Sequence, residues 1–144
     1  GELVLNEDVI RHLQISRGMI DAVAAREAQE IARRERAYRD DLPPPHVAGR
    51  VCILVDDGLA TGSTMKAAVA ALRHKQAARI VVAVPVAPQS VVEEFRSLAD
   101  EIVCVDAPED FYAVSAWYAD FAQTSDAEVR QLLAAAGQHD GVRP

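Results

Sequence analysis

Two adjacent carboxylates and a loop of small and hydroxylated residues form the stretch of this chain best suited to chemistry. Asp56 and Asp57 end a short apolar run, and they are followed after Gly58 by a loop that contains Ala60, Thr61, Gly62, Ser63 and Thr64. Glycine lets the backbone approach a ligand closely, and hydroxyls beside the amides of a helix N-terminus suit an anion. Because carboxylates repel an anion, the two acids would instead accept hydrogen bonds from sugar hydroxyls or hold a divalent cation.

Positioning these groups requires a strand before the acids and a helix after the loop. Residues 51–55 form an unbroken apolar run, which predicts a strand covered on both faces inside a parallel sheet. Residues 65–75 have a helical pattern. Two more apolar runs predict strands at residues 79–86 and 101–105, with a crossover helix at residues 90–98. This alternation predicts an α/β fold with parallel strands joined by right-handed crossovers.

The carboxyl ends of these parallel strands should meet around one crevice, where open α/β sheets bind ligands. The acids would lie there together with residues 85–88 and 106–108. Phe111 and Tyr112 follow directly, so one of them could stack on a flat heterocycle in the crevice. The alternative is that the late aromatic residues form a helical face packed on the sheet, which we favour for Trp117.

Composition limits the class of protein. A length of 144 residues and 50% hydrophobic content suit one domain over residues 1–144, with a frayed tail at 137–144. A net charge of -7 argues against nucleic acid as the main partner. Cys52 and Cys104 lie in apolar runs, which suggests buried thiols in a reducing compartment. Because no stretch has the pattern of a signal peptide or a membrane span, we expect a cytoplasmic protein.

The flanking segments are predicted to be mostly helical. Residues 3–5 could form a short strand, followed by a helical turn capped by Asn6. Residues 20–38 have the pattern of a long amphipathic helix, and residues 124–126 resemble a helix start. Prolines make residues 40–46 a stiff connector. The basic residues near the end of the long helix could attract a pyrophosphate, but pairs of Glu and Arg are favoured; these residues are Arg33, Arg34, Arg36 and Arg39.

The sequence VDDGLATGST at residues 55–64 resembles the phosphoribosyl diphosphate signature of the type I phosphoribosyltransferases. The resemblance implies a doubly wound, Rossmann-like parallel sheet. It also implies that Asp56 and Asp57 bind the ribose hydroxyls and that the loop from Ala60 to Thr64 binds the 5-phosphate. The alternative is an ordinary strand-to-helix turn capped by one Asp or Thr. It is not favoured, because a helix cap requires a single polar residue and this stretch contains several. Neither a Walker loop nor a dinucleotide-type glycine motif fits the chain.

The resemblance implies transfer of ribosyl 5-phosphate from phosphoribosyl diphosphate to a nitrogenous base or amine, with release of pyrophosphate and with Mg2+ as cofactor. The partner would be phosphoribosyl diphosphate or a nucleotide monophosphate. Members of the family often carry an acid where this chain has Leu59 or Ala60, so no general base is identified. A binding or regulatory module without turnover is therefore the alternative function. A fortuitous signature in an interaction module is a third.

The resemblance also predicts missing structure. In the family, two parallel strands precede the signature strand, and the first ends in a loop that binds pyrophosphate. Only about fifty residues precede Val51, and most of them look helical. The strand at residues 51–55 would then have an unpaired edge. We therefore expect either that the chain is an N-terminally incomplete piece of a longer enzyme or that a second copy covers this edge in a homodimer.

Overall fold

The computed structural model describes residues 7–39 and 44–139, which form two compact units. The first contains residues 7–14 and 45–121, and the remaining described residues form the second. Within these ranges no helix combines the length and the apolar character needed to cross a membrane. The predictions for residues 3–6 lie outside the described residues. A single domain and an incomplete N-terminus both stay predictions.

The first unit is built on a parallel sheet of three strands in the order β1-β2-β3. The strands are β1 (Val51–Val55), β2 (Arg79–Val86) and β3 (Glu101–Asp106). Val51 lies opposite Arg79, and Val86 lies opposite Asp106. The three predicted strands are confirmed, and β3 is one residue longer than predicted. The α/β fold class is confirmed as well.

The core lies between this sheet and two crossover helices, α3 (Ser63–His74) and α4 (Gln89–Leu98). The fully buried side chains of β2 are Ile80 and Val82, and the ring of Phe95 from α4 is also fully buried. The rest of the core is aliphatic, and its buried members include Met65, Val69, Val84, Val91 and Val92. Because Phe95 is the largest buried side chain, α4 contributes much of the area that holds the sheet and helices together.

The prediction that β1 is covered on both faces is wrong. Ile53 is 64% exposed and Val55 is 75% exposed, and on β3 Val105 is also largely exposed. The strand order explains this result. Right-handed crossovers between strands that are neighbours in both sequence and space place α3 and α4 on the same face of the sheet. As predicted, β1 lies at an edge of the described sheet.

Hydrogen bonds and ion pairs connect β2, β3 and α3 at the amino end of the sheet, opposite the predicted site. The carboxylate of Asp100 accepts bonds from the backbone N–H of Ile80 at 2.7 Å and from Arg73 of α3 at 2.8 Å. The guanidinium of Arg73 and the Ile80 amide lower the pKa of Asp100. Arg79 pairs with Glu101 across β2 and β3 at 2.7 Å.

A separate short helix, α1 (Glu7–His12), begins the described chain, and the second unit contains the long helix α2 (Arg17–Arg39) and the helix α5 (Asp126–His139). The prediction of a long helix over residues 20–38 is confirmed. A capping box begins α5, since Ser125 and Glu128 exchange bonds at 2.9 and 3.3 Å. The helix continues past Gly137 to His139, beyond the point where we predicted that order would end.

Arg33 connects the two helices of the second unit. Its guanidinium donates to Glu30 at 2.8 Å and to Asp126 of α5 at 2.8 Å, and the hydroxyl of Tyr38 donates to Asp126 as well. Arg34 also pairs with Glu30 at 2.8 Å. Arg33 and Arg34 therefore follow the favoured interpretation of internal ion pairs. Isolated ion pairs on a protein surface contribute little to folding stability. Asp126 differs from them because it accepts hydrogen bonds from two side chains of α2.

Asp126→Asn should weaken the packing of α5 on α2, and acid should do the same to the unmodified chain. Hydrogen bonds from Arg33 and Tyr38 lower the pKa of Asp126 from 3.8 to about 2. A carboxyl whose pKa is lowered by folding stabilises the native state above its unfolded pKa, and this stabilisation is lost as the pH falls through the folded pKa. We expect hydrogen-exchange protection of α5 amides to fall between pH 3.8 and about 2.

The matched control is Asp21→Asn, which also removes one negative charge. Asp21 pairs with Arg17 of the same helix at 3.2 Å. At neutral pH, amide protection in α5 should fall in Asp126→Asn and remain unchanged in Asp21→Asn. Equal protection in the two variants would contradict the role assigned to Asp126.

Candidate functional site

The acid turn lies across the carboxyl ends of the strands. The turn is defined by Asp56, Asp57 and Gly58. The backbone N–H of Asp56 donates to the carbonyl of Ala83 at 3.4 Å, and that of Leu59 donates to the carbonyl of Val86 at 3.0 Å. Two hydrogen bonds to β2 therefore hold the turn where β1 ends.

The carboxyl ends of β2 and β3 meet beside this turn. The backbone N–H of Ala87 donates to the carbonyl of Asp106 at 3.2 Å, next to the paired residues Val86 and Asp106. The segments predicted to share one crevice are thus brought to one edge of the sheet, because all three strands are parallel.

A pocket of about 170 Å³ opens at this edge. Its lining combines one carboxylate with the loop and the start of α3: Asp56, Gly58, Leu59, Ala60, Thr61, Gly62, Ser63, Thr64 and Met65. Small-molecule sites commonly enclose about 300–1,000 Å³, so this pocket suits one group of a ligand and leaves the rest outside. All five predicted loop residues and Asp56 line the pocket, whereas Asp57 does not.

Residues 60–64, which we call the phosphate loop after their predicted role, turn sharply at Gly62 into α3. Gly62 has φ 68° and ψ 8°, and as the N-cap residue of α3 it has no side chain that could cap the helix. The hydroxyls of Thr61 and Ser63 lie 3.0 Å apart, and the backbone N–H of Ser63 donates to the Thr61 hydroxyl at 3.4 Å. Since helix N-termini carry partial positive charge and free amides, the pocket offers an anion both a dipole and hydroxyl donors.

Gly62 also packs directly on the core. A Cβ at this position would lie 2.5 Å from Cε2 of Phe95 and 3.4 Å from Cγ1 of Val91. No real Cβ tolerates the shorter distance, so the loop approaches α4 as closely as it does only because residue 62 is glycine. The buried ring of Phe95 thereby supports the floor of the pocket.

The two carboxylates are exposed and adjacent. Oδ1 of Asp56 accepts a bond from the backbone N–H of Asp57 at 3.0 Å. Among the described residues, no group of three or more His, Cys, Asp or Glu side chains could hold a metal ion. Mg2+ is commonly bound through one or two carboxylates together with substrate phosphates and water. The acids therefore fit a cation that arrives with a phosphorylated substrate.

A family model described as "Phosphoribosyl transferase domain" matches residues 2–121, the greater part of the chain. The chain belongs to the phosphoribosyl transferase domain family. The match includes both the acid turn and the phosphate loop, and it confirms the family predicted from residues 55–64.

Similar proteins agree with this assignment. Proteins named "Putative phosphoribosyl transferase" from two strains of Mycobacterium tuberculosis are each 41% identical over 133 residues. These alignments cover 92% of this chain and 30% of each relative. The crystal structure of TT1426 from Thermus thermophilus superposes with a TM-score of 0.72 at 37% identity, covering 93% of this chain and 63% of the other. The chain thus spans less than a third of the length of the mycobacterial relatives.

The aromatic residues predicted to stack on a heterocycle do not line the pocket of this phosphoribosyl transferase domain. Phe111 is half-buried and Tyr112 is 95% exposed, and neither lines the pocket. The preference for a packed Trp117 is wrong, because this residue, at the end of a short 3-10 helix (Val114–Trp117), is 43% exposed. One turn of helix is too short to bury a continuous face.

Sequence reasoning missed two contacts to the acid turn. The hydroxyl of Tyr118 donates to the carbonyl of Asp57 at 2.6 Å. The methyl groups of Val114 occupy the space beside Gly58, where a Cβ would lie 2.8 Å from Cγ1. Both partners are more than fifty residues away in sequence, so no local pattern indicated either contact.

Gly62→Ala should destabilise the domain by about 2–5 kcal/mol, since a left-handed backbone costs alanine about 1–2 kcal/mol and a clash in the core adds about 1–3. Two other glycines separate these effects. Gly49 has φ 70°, and no atom lies within 4 Å of the position that a Cβ would take. Gly49→Ala should therefore lower the free energy of unfolding only by the backbone contribution of about 1–2 kcal/mol. Denaturant unfolding of each variant measures the free energy of unfolding.

Gly18→Ala completes the series. Gly18 lies in α2 with open space around it and a normal helical φ, so alanine there should be neutral or stabilising by up to about 1 kcal/mol. If Gly62→Ala and Gly49→Ala lose the same stability, the contact with Phe95 does not constrain residue 62.

Proposed function

We propose that this domain binds phosphoribosyl diphosphate and transfers its ribosyl 5-phosphate to a nitrogenous base or amine, releasing pyrophosphate. The observation that carries the proposal is the pocket in which Asp56 faces the same space as the uncapped start of α3. A carboxylate beside an anion-binding loop suits a ligand that has hydroxyl groups next to a phosphate, as a phosphorylated sugar does.

In this proposal the loop residues Ala60, Thr61, Gly62, Ser63 and Thr64 bind the 5-phosphate. The backbone and hydroxyl donors carry this role, because the chain as a whole has a net charge of -7. Lys66, on the first turn of α3, is already paired with Glu94 of α4 at 2.8 Å. Recognition of the phosphate therefore depends on local amides, hydroxyls and the helix dipole.

Asp56 and Asp57 would accept hydrogen bonds from the ribose hydroxyls. Holding the sugar at these acids and the phosphate at the loop fixes the anomeric carbon relative to an incoming nucleophile. As the bond to pyrophosphate breaks, positive charge develops on the sugar, and two nearby carboxylates stabilise it. Mg2+ bound with the substrate would neutralise charge on the departing pyrophosphate.

The acceptor would approach from the open side of the pocket. Phe111 and Tyr112 follow β3 at this edge, and the exposed ring of Tyr112 is available to stack on a heterocycle. Because the pocket accommodates only one group of the ligand, we assign it to the sugar phosphate and place the acceptor outside it.

A module that binds phosphoribosyl diphosphate or a nucleotide monophosphate without turnover is the second candidate. One observation favours it. Leu59 and Ala60 occupy the positions where an acid is frequent in the type I family, and Leu59 is buried in the core. No proton acceptor is supplied from these positions. The mycobacterial relatives are about three times as long, so the activity of a whole protein of that kind is likewise a proposal.

Asp56→Asn and Asp57→Asn should each weaken binding of phosphoribosyl diphosphate with Mg2+ by about 10- to 150-fold. This range corresponds to the loss of one charge-assisted hydrogen bond of about 1.5–3 kcal/mol. Isothermal titration calorimetry on the full chain measures the affinity. The control is Glu101→Gln, which removes the same charge at the opposite end of the sheet and should leave the affinity unchanged.

Release of pyrophosphate then separates the two candidate functions. Turnover with a purine or pyrimidine base establishes transfer, whereas binding that requires Asp56 and Asp57 without any pyrophosphate release establishes a binding module. If the unmodified chain does not bind phosphoribosyl diphosphate, or if both Asn variants bind like Glu101→Gln, the proposed site is wrong.

A further inference from the structure

The backbone of the acid turn is held from one side by a distant segment. On the sheet side, the Asp56 amide makes a long bond of 3.4 Å to Ala83. The Asp57 amide bonds only locally, to Oδ1 of Asp56 at 3.0 Å. The carbonyl of Asp57 accepts the hydroxyl of Tyr118 at 2.6 Å, which is the shortest of these three contacts. The hydroxyl of Tyr118 therefore restrains the peptide unit between Asp57 and Gly58 directly, and the bond from the Leu59 N–H to Val86 at 3.0 Å holds the chain one residue later.

Tyr118 is itself fixed in place. Its side chain is half-buried, and its ring packs against Phe121 with centroids 5.1 Å apart and planes at 53°. Its backbone N–H donates to the carbonyl of Ser115 at 3.4 Å. A tyrosine held by a ring contact and a backbone bond can direct its hydroxyl to one acceptor at little further cost in conformational entropy.

A second contact reaches the same turn from the same segment. Val114 lies against Gly58, where a Cβ would come within 2.8 Å of Cγ1 and 3.0 Å of the carbonyl oxygen of Val86. Residues 114–121 therefore touch the turn at two consecutive positions. Val114 limits the position of Gly58, and Tyr118 limits the rotation of the peptide before it.

We propose that Tyr118 is a positioning residue for the ribose-binding acids, an inference that rests on the proposed function. Rotation about the Cα–C bond of Asp57 would turn the Asp57 carboxylate relative to the phosphate loop and away from the sugar. The Tyr118 hydroxyl opposes this rotation by holding the Asp57 carbonyl, and it acts through the backbone without touching the substrate. Preorganising a site in this way raises affinity, because less order has to be imposed when the ligand binds.

The test is the affinity of the full chain for phosphoribosyl diphosphate with Mg2+, measured by calorimetry. Tyr118→Phe removes the hydroxyl and retains the ring against Phe121. We expect the affinity to fall by about 2- to 12-fold, as for loss of one neutral hydrogen bond. The amide resonance of Gly58, which shares a peptide unit with the Asp57 carbonyl, should also shift.

Tyr38→Phe is the matched control. The Tyr38 hydroxyl also donates to an acceptor distant in sequence, Asp126. Its loss should affect folding stability but leave the affinity for phosphoribosyl diphosphate unchanged. A purely structural tyrosine at position 118 would behave like Tyr38 in this comparison.

A double-variant comparison tests the assigned route through Asp57. In the Asp57→Asn background, Tyr118→Phe should reduce the affinity by less than it does in the unmodified chain, because the carboxylate that it positions is already lost. Fully additive losses would overturn the proposal. Phe121→Leu, which keeps the hydroxyl but removes the ring support, should weaken binding in the same direction as Tyr118→Phe.

The outcomes separate this inference from the proposed function. If the unmodified chain binds phosphoribosyl diphosphate, Asp57→Asn weakens binding, and both Tyr118→Phe and Phe121→Leu bind normally, the role of Tyr118 is wrong and the proposed function stands. If the unmodified chain does not bind phosphoribosyl diphosphate at all, both are wrong.

Discussion

The close approach of Gly62 to the ring of Phe95 is the contact on which the candidate site depends. Phe95 is fully buried between α4 and the sheet, and the backbone at Gly62 comes so near that a Cβ would lie 2.5 Å from the ring. The same residue adopts φ 68°, a conformation that favours glycine. The floor of the pocket is therefore part of the core, and its shape is as rigid as the packing beneath it.

This arrangement agrees with the proposed anion site in a chain with a net charge of -7. Lys66 at the start of α3 is engaged by Glu94, and in the second unit Arg33 and Arg34 are engaged by Glu30 and Asp126. What remains at the pocket is the uncapped start of α3 with the hydroxyls of its loop. Selectivity for a phosphorylated sugar would then come from geometry, with acids for hydroxyl groups on one side and amides for phosphate on the other.

The acid turn is held by contacts from two parts of the first unit, strand β2 and the segment at residues 114–121. The backbone amides of Asp56 and of Leu59, the residue after the turn, bond to β2. On the other side, Tyr118 contacts the Asp57 carbonyl and Val114 contacts Gly58. The segment that carries Tyr118 and Val114 begins just beyond Phe111 and Tyr112, the residues proposed to meet the acceptor. One continuous segment of chain therefore connects the residues proposed to meet the acceptor with the contacts that hold the acid turn.

The family, the three strands and the stretch proposed to bind ribose and phosphate could be predicted from the sequence, because each depends on short runs in which every residue type has a local physical reason. An unbroken apolar run, adjacent acids and a Gly62 flanked by hydroxyls need no distant partner to be recognised. Three features became visible in the folded chain alone: the covered face of β1, the partial exposure of Trp117, and the hydrogen bond from Tyr118 to Asp57. Ile53 is exposed because α3 and α4 both lie on the other face of the sheet, and the bond from Tyr118 joins residues 61 positions apart, so chain topology decides both features.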